Sequence, residues 1–318
     1  MKSMQQEVDE RSNLTGTNKF ELLLFRLGGD AHGERNELFG INVFKIREIV
    51  AMPEITAIAG AMPHVLGVVN LRGQIIQVLD LPAITGCVPK TGLNIMLVTE
   101  FARTTQAFAV ESVEEIVRLD WSQVMSAEAS AGVGMVTSIA RLDEENGVTR
   151  LAQVLDVETI LRNMAPTDRP DVNPDTIGPK VRIKPGAVIL AADDSVVARA
   201  LIEQGLEAMG APFIMTKSGK EAWDQLHTIA AAAEKEGKTI NDKVALVLTD
   251  LEMPEMDGFT LTRNIKKTAR FSTLPVVIHS SLSGTTNEDH VKSVGADAYV
   301  AKFAADELAA VIRRVLGQ

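Results

Sequence analysis

A single cysteine, Cys87, stands in the 318 residues, which excludes a disulfide framework and any cysteine-based zinc site. Aromatic residues are only 4% against 46% hydrophobic, so any core must be aliphatic. No apolar run approaches the roughly 20 residues of a membrane-spanning helix. The opening MKSMQQEVDE lacks an apolar signal core, so a soluble, cytoplasmic chain without membrane insertion is expected. Asn13-Leu14-Thr15 fits a glycosylation sequon, which has no use without a secretory route. The net charge is −10 and no basic stripe occurs, which argues against a nucleic-acid surface. Residues 20–162 also lack a catalytic constellation and a glycine loop for phosphate. His64 is alone, and Asp80, Glu100, Glu111 and Asp120 are scattered.

The length suggests two domains. Residues 1–18 are polar, so a mobile segment or at most a short helix is expected there. From Phe20 onward short apolar runs alternate with turns: Leu22 to Phe25, Phe39 to Val43, Val65 to Leu71, Gln74 to Leu81, Asn94 to Val98, Gln106 to Val110 and Val113 to Leu119. Val43, Ile46, Ile49 and Val50 have helical spacing, so a helix is expected there. Ser138 to Leu142 and Gly147 to Leu155 read as a hairpin leading into a short helix over Val157 to Leu161. Short strands at close intervals suggest small barrels. Pro166, Pro170, Pro174, Pro179 and Pro185 then mark 163–186 as an extended linker.

The remainder, 187–318, alternates strand and helix, as a doubly wound parallel sheet does. Val244 to Thr249 is a buried-strand run that delivers Asp250 at its carboxyl end, where open α/β sheets keep their chemistry. Ala187 to Ala192 delivers Asp193-Asp194 in the same way. Three carboxylates at one sheet edge stay ionised together only around a cation, and hard, oxygen-seeking Mg²⁺ suits them best. Val276 to Ile278 leads to the hydroxyl of Ser280, with Ser281 as the neighbouring alternative. Ala298 to Ala301 leads to Lys302. Acids, hydroxyl and lysine at successive strand ends make a phosphoryl-transfer site.

Through DD, TDLEMPEMDG, Ser280, Tyr299 and Lys302, residues 187–318 resemble the receiver domain of two-component response regulators. The resemblance implies a flavodoxin-like fold of five parallel strands. It also implies phosphorylation of Asp250 by a histidine kinase. Asp193, Asp194, Asp250 and the backbone carbonyl of Glu252 would hold Mg²⁺, and Ser280, Lys302 and Tyr299 would sense the phosphoryl group. Residues 19–162, through ELFGINVFKIREIV, VLGVVNLRGQIIQVLDL and GVTRLAQVLDVETIL, resemble the CheW-like coupling domain. That family implies an all-β double SH3-like barrel with two five-stranded sheets. Its partners are the histidine kinase CheA and the cytoplasmic tips of chemoreceptors. Arg72, in the turn Asn70-Leu71-Arg72-Gly73, is the implied partner contact; an ordinary exposed turn residue is the other reading.

A coupling domain, a proline-rich linker and a receiver, in that order, resemble the CheV-type chemotaxis coupling proteins. The implied function is a scaffold at chemoreceptor arrays, tuned by phosphorylation and not an enzyme. A phosphate sink for CheA and a constitutive adaptor with an inert receiver are the alternatives. Three departures from the receiver pattern stand out. Phe303 replaces the common proline after Lys302, so the bond is trans with a redrawn loop or holds strain. Glu252 brings an acid that repels either a phosphoryl dianion or an attacking water. Ser280 stands where threonine is commoner, and Tyr299 reads equally as a switch or as a packed strand residue.

Overall fold

A computed structural model describes residues 19–29, 37–101, 104–126, 135–145, 148–164, 177–280, 294–302 and 305–318. The chain divides into two compact units, Met1–Leu161 and Arg162–Gln318. Among the described residues no helix is long and apolar enough to cross a membrane. The first eighteen residues, Ser281, residues 287–293 and Phe303 lie outside the described residues.

The first unit contains strands β1 (Phe20–Arg26), β2 (Leu38–Asn42), β3 (Ile46–Ala51), β4 (Val65–Leu71) and β5 (Gln74–Asp80). A short helix α1 (Leu81–Thr85) follows, then β6 (Ile95–Phe101), β7 (Thr104–Val110), β8 (Ser112–Leu119), β9 (Val124–Ser126), β10 (Val136–Glu145) and β11 (Val148–Leu155). Helix α2 (Val157–Met164) comes next. One sheet runs β8-β1-β2-β11-β10-β9 and the other β3-β6-β7-β5-β4. Each contains one parallel pair, β11 with β2 and β5 with β7. The five strands expected in each sheet become six in the first, because the three-residue β9 adds to β10 through Met125 opposite Ile139.

Strand β1 is buried on both faces. Leu22 and Leu24 join the core formed with Leu38, Ala152 and Val154. The alternate residues Leu23 and Phe25 point the other way and are fully buried, with Phe25 stacked on Phe39 at 6.3 Å. Val69, Ile76, Val78, Met96, Val98 and Ala107 fill the second sheet's core. The helix expected from Val43 to Val50 is a correction. Only Val43–Lys45 turn helically, as one 3-10 turn, and Ile46–Ala51 pair with β6. Val43, Ile46, Ile49 and Val50 are all β-branched and so also suit a strand, and pairing with β6 decides for Ile46 to Val50.

The second unit alternates β12 (Val188–Ala192), α3 (Val196–Ala208), β13 (Phe213–Thr216), α4 (Gly219–Lys235), β14 (Val244–Thr249) and α5 (Gly258–Lys267). Strands β15 (Val276–Ser280) and β16 (Ala298–Ala301) and helix α6 (Ala305–Val315) complete the described elements. All strand pairs are parallel, in the order β13-β12-β14-β15-β16. Side chains alternate to opposite faces of this sheet. Ile189, Ala191, Leu246 and Leu248 pack with Ile202 and Leu206 of α3 and Leu308 and Ile312 of α6. Leu190, Ala192 and Val247 pack with Leu226 of α4 and Leu261 and Ile265 of α5.

The expectation of an extended linker over 163–186 fails at its carboxyl end. Ile177 and Val181 are buried in the core beneath α3 and α6, with Ile183 packed against it. The Val181 amide donates to the Met209 carbonyl at 3.0 Å, and Arg313 donates to the Pro179 carbonyl at 2.9 Å. The Arg182 amide donates to Gln318 Oε1 at 2.8 Å. Proline fixes φ without preventing burial, and Ile177, Val181 and Ile183 supply apolar surface among the polar residues. Residues 165–176 lie outside the described part.

Candidate phosphoacceptor site

The strand order reverses direction between β12 and β14, and the carboxyl ends of those two strands carry the acids. This is the crevice where open parallel sheets bind ligands. Pairing of β12 with β14 puts Ala192 beside Thr249, and the Asp250 amide donates to the Ala192 carbonyl at 2.9 Å. The carboxylates that follow are thereby brought together. One oxygen from each of Asp193, Asp194 and Asp250 lies within 4.8 Å of the others. Asp193 and Asp250 are buried, and Asp194 is half-buried.

Lys302 enters from the end of β16. Its ammonium lies 2.9 Å from Asp193 Oδ2 and 3.0 Å from Asp250 Oδ2, and it is 2% exposed. Its own amide donates to the carbonyl of Ser280, the last residue of β15, at 2.8 Å. Ser280 is buried at this same edge. The other oxygens of Asp193 and Asp250 accept from backbone amides. The Ser195 amide donates to Asp193 Oδ1 at 2.9 Å, and the Leu251 amide donates to Asp250 Oδ1 at 2.7 Å.

Three carboxylates face one ammonium, so the cluster is negative. Two of the acids and the lysine are removed from water, where charge interactions strengthen. An all-oxygen donor set of this kind fits a hard divalent cation such as Mg²⁺. Glu252 is half-buried in the loop after Asp250. Tyr299 packs against Leu251, Phe259 and Ile278 and is half-buried. Arg72 lies in the first unit at the β4–β5 turn, with φ of 53°, and pairs with Glu48 at 2.6 Å. The Asn70 side chain closes that turn by accepting from the Gly73 amide at 2.8 Å.

The loop from Leu251 to Asp257 is pinned by two glycines. A Cβ on Gly258 would lie 2.0 Å from the Asp250 carbonyl oxygen, and one on Gly219 would lie 2.2 Å from the Met256 carbonyl oxygen. Asp257 caps α5 by accepting from the Thr260 amide at 2.6 Å. Burial pushes its pKa up, against the lowering effect of the Thr260 hydrogen bonds.

Two residues escape a reading of sequence alone. Gly219 has no motif around it that announces a close approach. Arg199 donates from one guanidinium nitrogen to the carbonyls of Asp193 at 3.0 Å and Asp194 at 2.7 Å. Its one sequence signal is a long cation in the first turn after an acid pair.

Comparison with known proteins assigns a family to each half. The CheW-like domain family matches residues 21–165, and the response regulator receiver domain family matches 189–313. Chemotaxis protein CheV2 of Helicobacter pylori is 30% identical over 98% of this chain and 100% of its own length. The chain belongs to the CheV family of chemotaxis proteins. A second CheV relative, CheV3 of the same organism, is 29% identical over 97% of this chain and 98% of its own. Among solved structures, the scaffolding protein TtCheW from Thermoanaerobacter tengcongensis is 22% identical. It covers 45% of this chain and 92% of its own, with a TM-score of 0.37. As a CheV-family member the chain is a chemotaxis signalling protein that joins a CheW-like domain to a receiver domain.

Proposed function

We propose that the chain is a phosphorylation-tunable scaffold. Its CheW-like half couples the cytoplasmic tips of chemoreceptors to the histidine kinase CheA at membrane-associated arrays. Its receiver half accepts a phosphoryl group from that kinase on Asp250. The observation that carries the reading is the buried ammonium of Lys302 shared by Asp193 and Asp250, with Asp194 beside them. An ion-pair network built only for stability does not need a third carboxylate in the same cluster.

In the transfer, a carboxylate oxygen of Asp250 bonds to phosphorus as the P–N bond of the kinase phosphohistidine breaks. The electron pair stays on the imidazole nitrogen. The Asp193, Asp194 and Asp250 carboxylates, with the Glu252 carbonyl, would hold Mg²⁺, which supplies positive charge against the phosphoryl oxygens. Lys302 moves from carboxylate to phosphoryl oxygen, and the Ser280 hydroxyl donates to another. A phosphoaspartate adds charge and acceptors, and Tyr299 repacks with the β15–β16 edge. Hydrolysis returns the carboxylate and phosphate, so the chain converts only itself.

The test is transfer of labelled phosphate from CheA to the full chain in MgCl₂, beside Asp250→Asn and an EDTA control. The label moves to wild type and falls at least a hundredfold in both controls. Equal labelling of Asp250→Asn would remove Asp250 as the acceptor. Transfer with no change in kinase coupling would leave a phosphate sink, and CheA binding without transfer would leave a constitutive adaptor.

A further inference from the structure

We propose that Arg199 is a positioning residue for the cation at this site. Its guanidinium fixes the two peptide units that carry Asp193 and Asp194. The inference rests on reading the site as a Mg²⁺-dependent phosphoacceptor, and it adds a residue that touches neither the cation nor the phosphoryl group.

The acid pair is on the loop between β12 and α3, where few backbone hydrogen bonds hold a strand end. Arg199 supplies what the ladder does not. One of its nitrogens donates to two consecutive carbonyls, at 3.0 Å and 2.7 Å. Its own position is set by α3, since its amide donates to the Ser195 carbonyl at 3.0 Å. Ser195 in turn caps the helix by accepting from the Ala198 amide at 3.4 Å, and donates its own amide to Asp193 Oδ1 at 2.9 Å. The loop is thus tied to the first turn of α3 through both carbonyls and one carboxylate.

A guanidinium near a cation site has two opposite effects. Its charge repels the incoming cation, which weakens binding. Its hydrogen bonds hold two peptide planes and therefore two carboxylates, which strengthens binding by removing the cost of arranging them. Groups that orient metal ligands are worth about 10–100-fold in metal affinity. At Arg199 the donated hydrogen bonds go to the ligand-bearing residues themselves, so positioning outweighs repulsion.

The two effects give opposite signs, so a binding measurement separates them. MgCl₂ is titrated calorimetrically into the full chain, Arg199→Ala and Arg199→Lys, and thermal unfolding of each is followed in EDTA. The expected result is a Kd for Mg²⁺ raised about tenfold in Arg199→Ala. A smaller rise is expected in Arg199→Lys, which keeps the charge and can donate from one nitrogen but lacks the fixed plane of the guanidinium. In EDTA the unfolding temperatures stay near that of wild type, and excess MgCl₂ restores phosphotransfer. An unchanged or lower Kd in Arg199→Ala overturns the proposal. So does an Arg199→Ala chain that unfolds in EDTA while Arg199→Lys binds as wild type, because that is a purely structural role. Absence of Mg²⁺ binding by wild type would instead sink the reading of the site on which the proposal rests.

Discussion

The two halves bury charge in different ways. In the coupling half, Glu111 accepts from the amides of Lys90 at 2.7 Å and Thr91 at 2.5 Å and from the Thr91 hydroxyl at 2.9 Å. Glu21, also buried, accepts from Nε of Arg118 at 2.8 Å. Glu111's partners are mostly backbone, which cannot leave without unfolding. In the receiver half, two buried carboxylates share the tip of one lysine, and a third carboxylate adjoins them. An ammonium on a four-carbon stem can change partners while the fold stays intact. Fixed donors make a structural charge, whereas a movable donor among surplus acids makes a site that can exchange ligands.

Lys302→Met breaks that contrast most severely. It leaves Asp193 and Asp250 buried without their shared cation, and loss of one partner of a buried pair costs about 3 kcal/mol or more. Denaturant unfolding in EDTA should show a loss of that size in the receiver transition. MgCl₂ should recover more stability in the variant than in wild type, because a second cation can replace the first. A variant as stable as wild type in EDTA would mean that the lysine carries no more weight than a surface pair.

Part of this contrast is legible in sequence and part is not. Asp193, Asp194, Asp250 and Lys302 follow short apolar runs that alternate with helical patterns, as buried parallel strands do, so their convergence follows from parallel pairing. Arg199 is not legible in that way, because a first-turn arginine reads like any solvated cation until its carbonyl partners are placed. The stretch after Val43 misleads because Ile46, Ile49 and Val50 have helical spacing yet are all β-branched, the residue type that strands favour. Only pairing with β6 chooses between helix and strand. Residues 177–186 mislead for a different reason: proline density describes backbone stiffness, not whether Ile177 and Val181 find a core. The three residues of β9 are too short for any period to show.

Glu111→Gln sharpens the comparison from the coupling side. Burial pushes the Glu111 pKa up, and the hydrogen bonds from Thr91 and Lys90 outweigh it, leaving it below the ordinary 4.5. A depressed carboxylate contributes stability above its unfolded pKa and loses it as pH falls through the folded pKa. The amide should cost about 1.5–3 kcal/mol at neutral pH, the range for hydrogen bonds to a charged group. The gap from wild type should close as the solution is acidified below 4.5, and MgCl₂ should leave it unchanged. A gap that persists at low pH would point to shape rather than charge.

Asp257→Asn has the smallest expected effect and the opposite pH slope. Burial raises the Asp257 pKa above its ordinary 3.8, against the Thr260 hydrogen bonds and the Arg263 charge. As pH rises past 3.8 the unfolded chain gives up this proton first, so wild-type stability falls until the folded group also ionises. Asparagine keeps the cap to the Thr260 amide, since Asn and Asp cap helices about equally well. It carries no charge to desolvate. Asp257→Asn should therefore match wild type under acid and be more stable by under about 1 kcal/mol at neutral pH. The measurement is the difference in unfolding free energy across that pH range. A neutral-pH variant less stable than wild type would show that the charge, through Arg263 and the positive end of α5, outweighs the cost of burying it.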